Sequence, residues 1–467
     1  MGLLSEPIRA SASGDLLIVI EGNSDNANQE ALIAIDTLLA PTAAGPAQYI
    51  RCATLAAGQR QQPQSNLALI SVNGIYAVRE ARQALQLGLH VMLFSDNISL
   101  EDEIALKRQA HEQGLLLMGP DCGTAIINGV VLGFGNNVRR GSIGIVGASG
   151  TGSQEVSTRI HQFGHGISQL IGTGGRDLSE PVGGLMMLDA LNMLAEDPDT
   201  RVIVLVSKPP AAAVAERVLT RARAVEKPVV IWFAGPDNPR SDEPGLLFAG
   251  NSKQAALNAV LAAGAQAEQL ALHPLNWPLI GDIRAQLAGP QRYIRGLFCG
   301  GTLCDEAMFL AMEKYPDVYS NIHPDPAFRL ADLSQSQGHT FLDFGDDAFT
   351  NGKPHPMIDP GLRIQRLLHE ARDPQVGVIL MDFILGYGAH QDPVGVMLPA
   401  IQQAQATAAA ENRPLVIVGY VLGTDQDSQS LQRQCQMLTD AGVIWASSST
   451  NAGLLAREFV CQQKELH

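Results

Sequence analysis

No apolar run in this 467-residue chain is long enough to cross a bilayer. Positive charge is scarce: 32 lysines and arginines stand against 47 acidic residues, a net charge of −15. That balance argues against nucleic acid and anionic membrane surfaces as partners. Cysteine is sparse too. The six are scattered, and Cys299 and Cys304 have no second pair nearby, which argues against a zinc site. Of the eleven histidines, His161 and His165 have H-x-x-x-H spacing, but no acid stands between or directly beside them, so no metal is expected. The opening residues, Met1 to Asp15, lack a basic n-region and an apolar h-region, so no secretory leader is expected. A reduced, cytoplasmic protein is the expectation.

What the chain does have is glycine, proline and short apolar runs: 46 Gly, 26 Pro and 46% hydrophobic residues. The runs are Leu16–Ile20, Leu67–Val72, Val91–Phe94, Leu115–Met118, Ile143–Val146, Ser168–Ile171, Val202–Val206, Val229–Phe233, Gly296–Phe298, Phe341–Phe344, Val378–Met381, Leu415–Val421 and Val443–Trp445. Most are separated by helical patterns and end in Gly, Asn, Asp or Ser. Such alternation means βαβ units and parallel sheets, an α/β protein of doubly wound type. Three blocks are expected: 1–140, 141–275 and 290–467, the last with a Pro- and Gly-rich insertion at 320–360. The second and third look like repeats. Asp197-Pro198 precedes Val202-Ile203 at the same offset as Asp373-Pro374 precedes Val378-Ile379.

The segment Gly141 to Asp177 carries the most chemistry. A strand pattern, Ile143–Val146, feeds a loop with Gly147, Ser149, Gly150, Thr151 and Gly152, and a helical pattern follows. Strand, glycine-rich loop and helix present bare N–H groups and a positive dipole end to an anion. The loop is not a G-x-G-x-x-G, and no acid closes the next strand to hold a ribose, so a nicotinamide site is poorly supported. Ser149 sits in G-A-S-G-T rather than in a G-x-S-x-G elbow, so it reads as an anion ligand or cap rather than a nucleophile.

In open α/β sheets ligands lie outside the carboxyl ends of strands. In the first block those ends supply Asn73, Gly74, Asn97, Pro120 and Asp121. The second supplies Ser149, Gly150 and Thr151, then Gly174 and Gly175, then Lys208. The third supplies Gly300-Gly301-Thr302, Gly345-Asp346-Asp347 and Gly388 with His390. Lys208 reads as an anion-binding cation or a solvated lysine. His390 reads as a general acid/base or a helix cap. Cys122, with no histidine near it in sequence, reads as a small loop filler.

From Leu67 to about Gly264 the sequence resembles the α subunit of succinyl-CoA synthetase. The match rests on Met118-Gly-Pro-Asp-Cys122, Gly144 to Thr151 with Glu155, and Gly172-Thr-Gly-Gly175. The last 180 residues or so resemble the carboxyl-terminal domain of its β subunit, through Leu342-Asp-Phe-Gly345 and the strand running to Gly388. Across essentially the whole chain it resembles the FdrA family of acyl-CoA synthetase-like proteins. The segments are Glu80–Leu85, Asp121–Gly129, Arg295–Glu306, Thr350–Pro360 and Ala446–Asn451. The resemblance implies a CoA-binding, Rossmann-like domain followed by two flavodoxin-like domains, with CoA as the cofactor to expect. It also implies a cytoplasmic oligomer with partner subunits and a small anionic substrate. Some members of that family are associated with oxamate carbamoyl transfer in purine-ureide breakdown.

The departures from the ligases are specific. Their phosphorylated histidine lies in a Gly-His-Ala-Gly loop, and here Phe248 stands at that place. A glutamate that orients the histidine is replaced by Lys208. The CoA-phosphate loop is reduced to Glu21–Asp25, and an ATP-grasp domain is not expected within these residues. In the ligases two helix N-termini converge on the phosphoryl group; their equivalents are expected near Gly150-Thr151 and near Gly388–His390. The expectation is a subunit acting in acyl or carbamoyl transfer through an acyl or carbamoyl phosphate, without its own phosphohistidine. An acyl-CoA synthetase subunit with its nucleotide domain on another chain, and a non-catalytic ligand-binding scaffold, are the alternatives.

Overall fold

The structure, a computed structural model, describes residues 24–39, 50–235, 241–287 and 289–461. Two units separate, Met1–Pro63 and Gln64–His467. The first shows helices Asp25–Leu39 and Leu55–Gln61, the latter capped by Thr54 Oγ1, which accepts from Ala57 N at 3.2 Å. The expected strand Leu16–Ile20 and the loop start Glu21–Asn23 lie outside the described residues.

The second unit holds three sheets. Strands β1 (Leu67–Ile70), β2 (His90–Leu93) and β3 (Leu117–Met118) pair in parallel in the order β1-β2-β3. The seven-stranded sheet contains β4 (Thr124–Ile127), β5 (Val130–Gly133), β6 (Arg140–Ala148), β7 (Ile167–Gly172), β8 (Val202–Ser207), β9 (Val229–Phe233) and β10 (Leu246–Phe248). Its order is β10-β9-β8-β6-β7-β4-β5, parallel from β10 to β7. The third sheet, β12-β13-β11-β14-β15-β16, is parallel throughout. Its strands are β11 (Tyr293–Phe298), β12 (Val318–Ser320), β13 (His339–Asp343), β14 (Val376–Ile384), β15 (Val416–Leu422) and β16 (Ile444–Ala446). Strands covered by helices on both faces need apolar residues at every position, and β8, β14 and β15 are buried along their whole length. No helix among the described residues is long and apolar enough to cross a membrane.

The hairpin β4–β5 is absent from the apolar runs read in the sequence. Its turn, Asn128-Gly129, has φ of 51° and 81°, the pair of positive angles that matches the twist of flanking strands. It pairs antiparallel with β7 and so extends the seven-stranded sheet, although its residues precede position 141.

The two larger sheets repeat one plan. The helix Gly150–Gln162 follows the central strand β6, and Gly301–Met312 follows the central strand β11. Before β8, Asp197 Oδ1 accepts from Asp199 N at 3.1 Å; before β14, Asp373 Oδ1 accepts from Gln375 N at 2.9 Å. The recurring Asp-Pro is thus an Asx turn that aims the chain into a buried strand.

The halves meet along the Gly150 helix. Ser153 through His161 are buried although most are polar, because the opposite half supplies partners. Glu155 pairs with Tyr420, Arg159 with the Ser447 carbonyl, and His161 Nε2 lies 2.6 Å from Asp425 Oδ1. Burial holds the Glu155 carboxyl above the ordinary carboxylate range.

The small sheet is tied on by a buried ammonium. Lys107, fully buried on helix Leu100–Glu112, donates to Asp177 Oδ1 at 2.8 Å and to the Thr173 carbonyl at 2.9 Å, and it pairs with Glu103 at 2.9 Å. These bonds fix the loop after β7. Lys107→Met leaves Asp177 buried without its cation and Glu103 with Arg176 as its remaining partner at 2.8 Å, and is expected to destabilise the protein by about 3–5 kcal/mol. Denaturant unfolding of the variant checks it.

Candidate functional site

The carboxyl ends of β1, β2, β6, β8, β11 and β13 surround one cleft of about 450 Å³. Its walls include Asn73, Asp121, Ser149, Gly150, Thr151, Gly175, Lys208, Gly301, Thr302 and Asp343, with Lys353 and His355 from the insertion.

Two helix N-termini meet here. Ser149 caps the first, accepting from Gly152 N at 3.0 Å, and its hydroxyl bonds the Thr302 hydroxyl of the second. Thr302 N donates to Thr151 Oγ1 at 3.3 Å. A Cβ on Gly152 would stand 2.9 Å from Thr302 Cγ2, so only glycine permits this approach. The second terminus is held from behind. Asp382 takes Cys299 N and Gly300 N at 2.8 Å each, and Arg363 steadies it at 3.0 Å, all within the core. Such termini carry N–H groups without helical partners and a partial positive charge.

Lys208 follows β8, half-buried, with no hydrogen bond or ion pair within 4 Å among the described residues. Burial works against its charge, but Asp305, Asp343, Asp121 and Asp346 outweigh burial and raise its pKa. The carboxyls respond in turn. Burial lifts Asp343 to about 7 and Asp305 to about 6, with Lys208 pulling both back. Asp121 reaches about 6 for the same reason, desolvation by surrounding protein, although its side chain still meets solvent. Asp343 Oδ1 accepts from Gly345 N at 2.9 Å, while Oδ2 lies against Gly301. The cleft therefore presents N–H donors, a protonated lysine and a carboxyl able to exchange a proton near neutrality.

The His355 ring packs tilted against Phe134 with centroids 5.4 Å apart, and its Nδ1 accepts from Met357 N at 3.2 Å. Burial, then the Arg363 charge, lowers its pKa to about 4. The ring is neutral with its proton on Nε2, a donor beside Gly345. Cys122 is buried, and burial pushes its thiol up to about 12, so it is no nucleophile at neutral pH.

A model for CoA-binding domains matches residues 138–235, and a CoA-ligase model matches 297–459. The first match thus falls on the seven-stranded sheet. The uncharacterized protein YahF of Escherichia coli (strain K12) is 63% identical over 465 residues, spanning all of this chain and 90% of YahF. The α-2 subunit of mitochondrial succinate–CoA ligase from Trichomonas vaginalis is 30% identical over 229 residues, 46% of this chain and 72% of that subunit. An α subunit from Archaeoglobus fulgidus is 28% identical over 220 residues, 45% of this chain and 74% of that subunit. This chain belongs to the FdrA-like acyl-CoA synthetase family.

Within this FdrA-like chain the structure gathers Asn73, Asp121, Ser149, Gly150, Thr151, Gly175 and Lys208 into one cleft. Four other sequence candidates stand elsewhere for packing reasons. Gly174, with φ of 86°, passes so close to the Pro120 carbonyl that a Cβ would overlap it, so both Gly174 and Pro120 serve backbone packing. A Cβ on Gly388 would stand 2.8 Å from the Phe134 ring. His390 donates its backbone N–H to the Met357 carbonyl at 2.8 Å, and its Nδ1 accepts from Asp392 N at 3.0 Å; the ring sits behind Met357, outside the cleft. The helix end facing Gly150 is therefore Gly301, not the segment Gly388–His390. The internal repeat explains this, since Gly301 follows the strand equivalent to β6. Phe248 is buried in β10 and does not line the cleft.

Gly74 and Asn97 line a second, adjoining groove of about 720 Å³ with Arg79 and Arg82. Sequence reasoning passed over Asp343 as a site residue, although it closes β13 as Ser149 follows β6. It gave no sign of Gln154, a buried residue on an ordinary helical pattern.

Proposed function

We propose that the cleft binds a small acyl or carbamoyl phosphate and transfers its acyl or carbamoyl group to an acceptor nitrogen, or runs the reverse phosphorolysis. The observation that carries this is the pairing of the Gly150 and Gly301 helix ends beside Lys208, with phenylalanine at the position of the ligases' histidine. A site of that make suits a phosphate that arrives already bonded to its acyl group. The acceptor nitrogen forms a bond to the carbonyl carbon, the carbon–oxygen bond to phosphate breaks, and phosphate leaves with the electron pair. Lys208 and the amides of Gly150, Thr151 and Gly301 stabilise the charge growing on the leaving phosphate. The N–H proton passes to Asp343, whose carboxyl sits near neutrality. An acceptor such as oxamate, a small acid bearing an amide, fits the size and polarity of the cleft. Assay of the chain, with and without partner subunits, for phosphate-dependent cleavage of a carbamoyl or acyl amide tests this reading.

The adjoining groove favours a second reading, a CoA-ligase subunit that works with a nucleotide domain on another chain. Arg79 and Arg82 beside Gly74 and Asn97 are suited to the phosphates of CoA. Calorimetric titration decides between them: micromolar CoA binding supports the ligase reading, and absence of heat removes it.

A further inference from the structure

One polar side chain lining the cleft has no part in the anion site described above. Gln154 lies on the second turn of the Gly150 helix, 1% exposed, and lines the cleft. A chain of bonds fixes which way its amide points. Asn136 Nδ2 gives its hydrogens to the Leu385 carbonyl at 2.9 Å and to Asp427 Oδ2 at 2.8 Å. That same Asp427 oxygen also accepts from Thr424 N at 2.8 Å, so it acts as an acceptor. Asn136 Oδ1 must then be the amide's acceptor end, and it takes a hydrogen from Gln154 Nε2 at 3.0 Å. Gln154 Oε1 is left buried, an acceptor with no donor among the described residues.

A carbonyl oxygen held this way is satisfied by an N–H or O–H and left unpaired by a methyl group. We propose, resting on the phosphate reading above, that Gln154 Oε1 accepts a hydrogen bond from an amide N–H of the ligand, so that the cleft selects an amide over its methyl isostere. The amide belongs either to the phosphate-bearing donor or to the acceptor acid, and the chemistry recognised is the same. A methyl isostere has the same size and charge but leaves the oxygen bare, the situation in which polar sites discriminate most strongly.

Calorimetry on the full-length chain with two matched pairs tests this. Phosphonoacetamide against 2-oxopropylphosphonate probes the donor, and oxamate against pyruvate probes the acceptor; inorganic phosphate probes the anion site itself. The expected result is that at least one amide binds about tenfold or more tightly than its methyl partner. In Gln154→Met that ratio falls to about one. Equal affinities within both pairs, with inorganic phosphate still bound, overturn the role of Gln154 and leave the phosphate site standing. Failure of inorganic phosphate and of all four probes to bind overturns both. An amide preference that persists in Gln154→Met assigns recognition to another residue and overturns the proposal. The wild-type ratios need no variant, so they decide the amide preference even if Gln154→Met does not fold.

Discussion

Lys208→Met is expected to lower turnover with an acyl or carbamoyl phosphate by about 10²–10³-fold. Methionine keeps the length of the apolar stem and removes only the charge. The ammonium is well placed to meet a phosphate, because it lines the cleft with no ion pair within 4 Å among the described residues. The carboxyls around it hold the proton on rather than occupy its hydrogen bonds. Its loss also removes the charge that pulls Asp343 and Asp305 down, so both carboxyls rise further and the pH optimum of residual activity moves upward. Steady-state kinetics by phosphate release over pH 6 to 9 reads both effects. A change in turnover smaller than about threefold removes Lys208 from the mechanism.

Asp343→Asn is expected to make the protein more stable and less active. The folded carboxyl titrates at about 7 against an ordinary 3.8, first because it is buried. The folded state therefore binds the proton more tightly than the unfolded chain does. The stability linked to that proton is fully present below about pH 4 and is lost as pH rises through 7. At 1.36 kcal/mol per pH unit, the rise from 3.8 to about 7 makes the loss above pH 7 on the order of 4 kcal/mol. Asparagine carries no charge to desolvate, and its Oδ1 still accepts from Gly345 N. Thermal unfolding should show the variant ahead at pH 8 and level with the parent at pH 4, while turnover falls about 10²-fold with the proton acceptor gone. Equal stability at both pH values contradicts the account of Asp343. Stability set aside for function at a buried charge is a common exchange in active sites.

Much of the architecture was legible because buried parallel strands spell themselves as apolar runs. The strand-end rule placed Asn73, Asp121, Ser149 to Thr151, Gly175 and Lys208 at the cleft. It erred where a glycine serves packing. Gly174 approaches the Pro120 carbonyl and Gly388 the Phe134 ring, and a glycine in sequence looks the same whether its neighbour is ligand, backbone or ring. Short edge strands, Leu246–Phe248 and Val318–Ser320, are too brief to show a pattern. The Asn128-Gly129 turn was readable in principle, since Asn-Gly between apolar residues is a hairpin signal. Gln154 was not readable at all: its meaning depends on Asn136, Leu385 and Asp427, which only the fold brings together.

The central claim is that group transfer here runs through a preformed acyl or carbamoyl phosphate. The most direct test incubates the full-length chain, alone and with candidate partner subunits, with a carbamoyl or acyl amide. Inorganic phosphate, CoA or nucleotide is supplied one at a time, and acyl or carbamoyl phosphate is measured. The account predicts product that requires phosphate and needs neither CoA nor nucleotide. Product that forms only when CoA and nucleotide are both present, or no phosphate-dependent cleavage in any mixture, would contradict it.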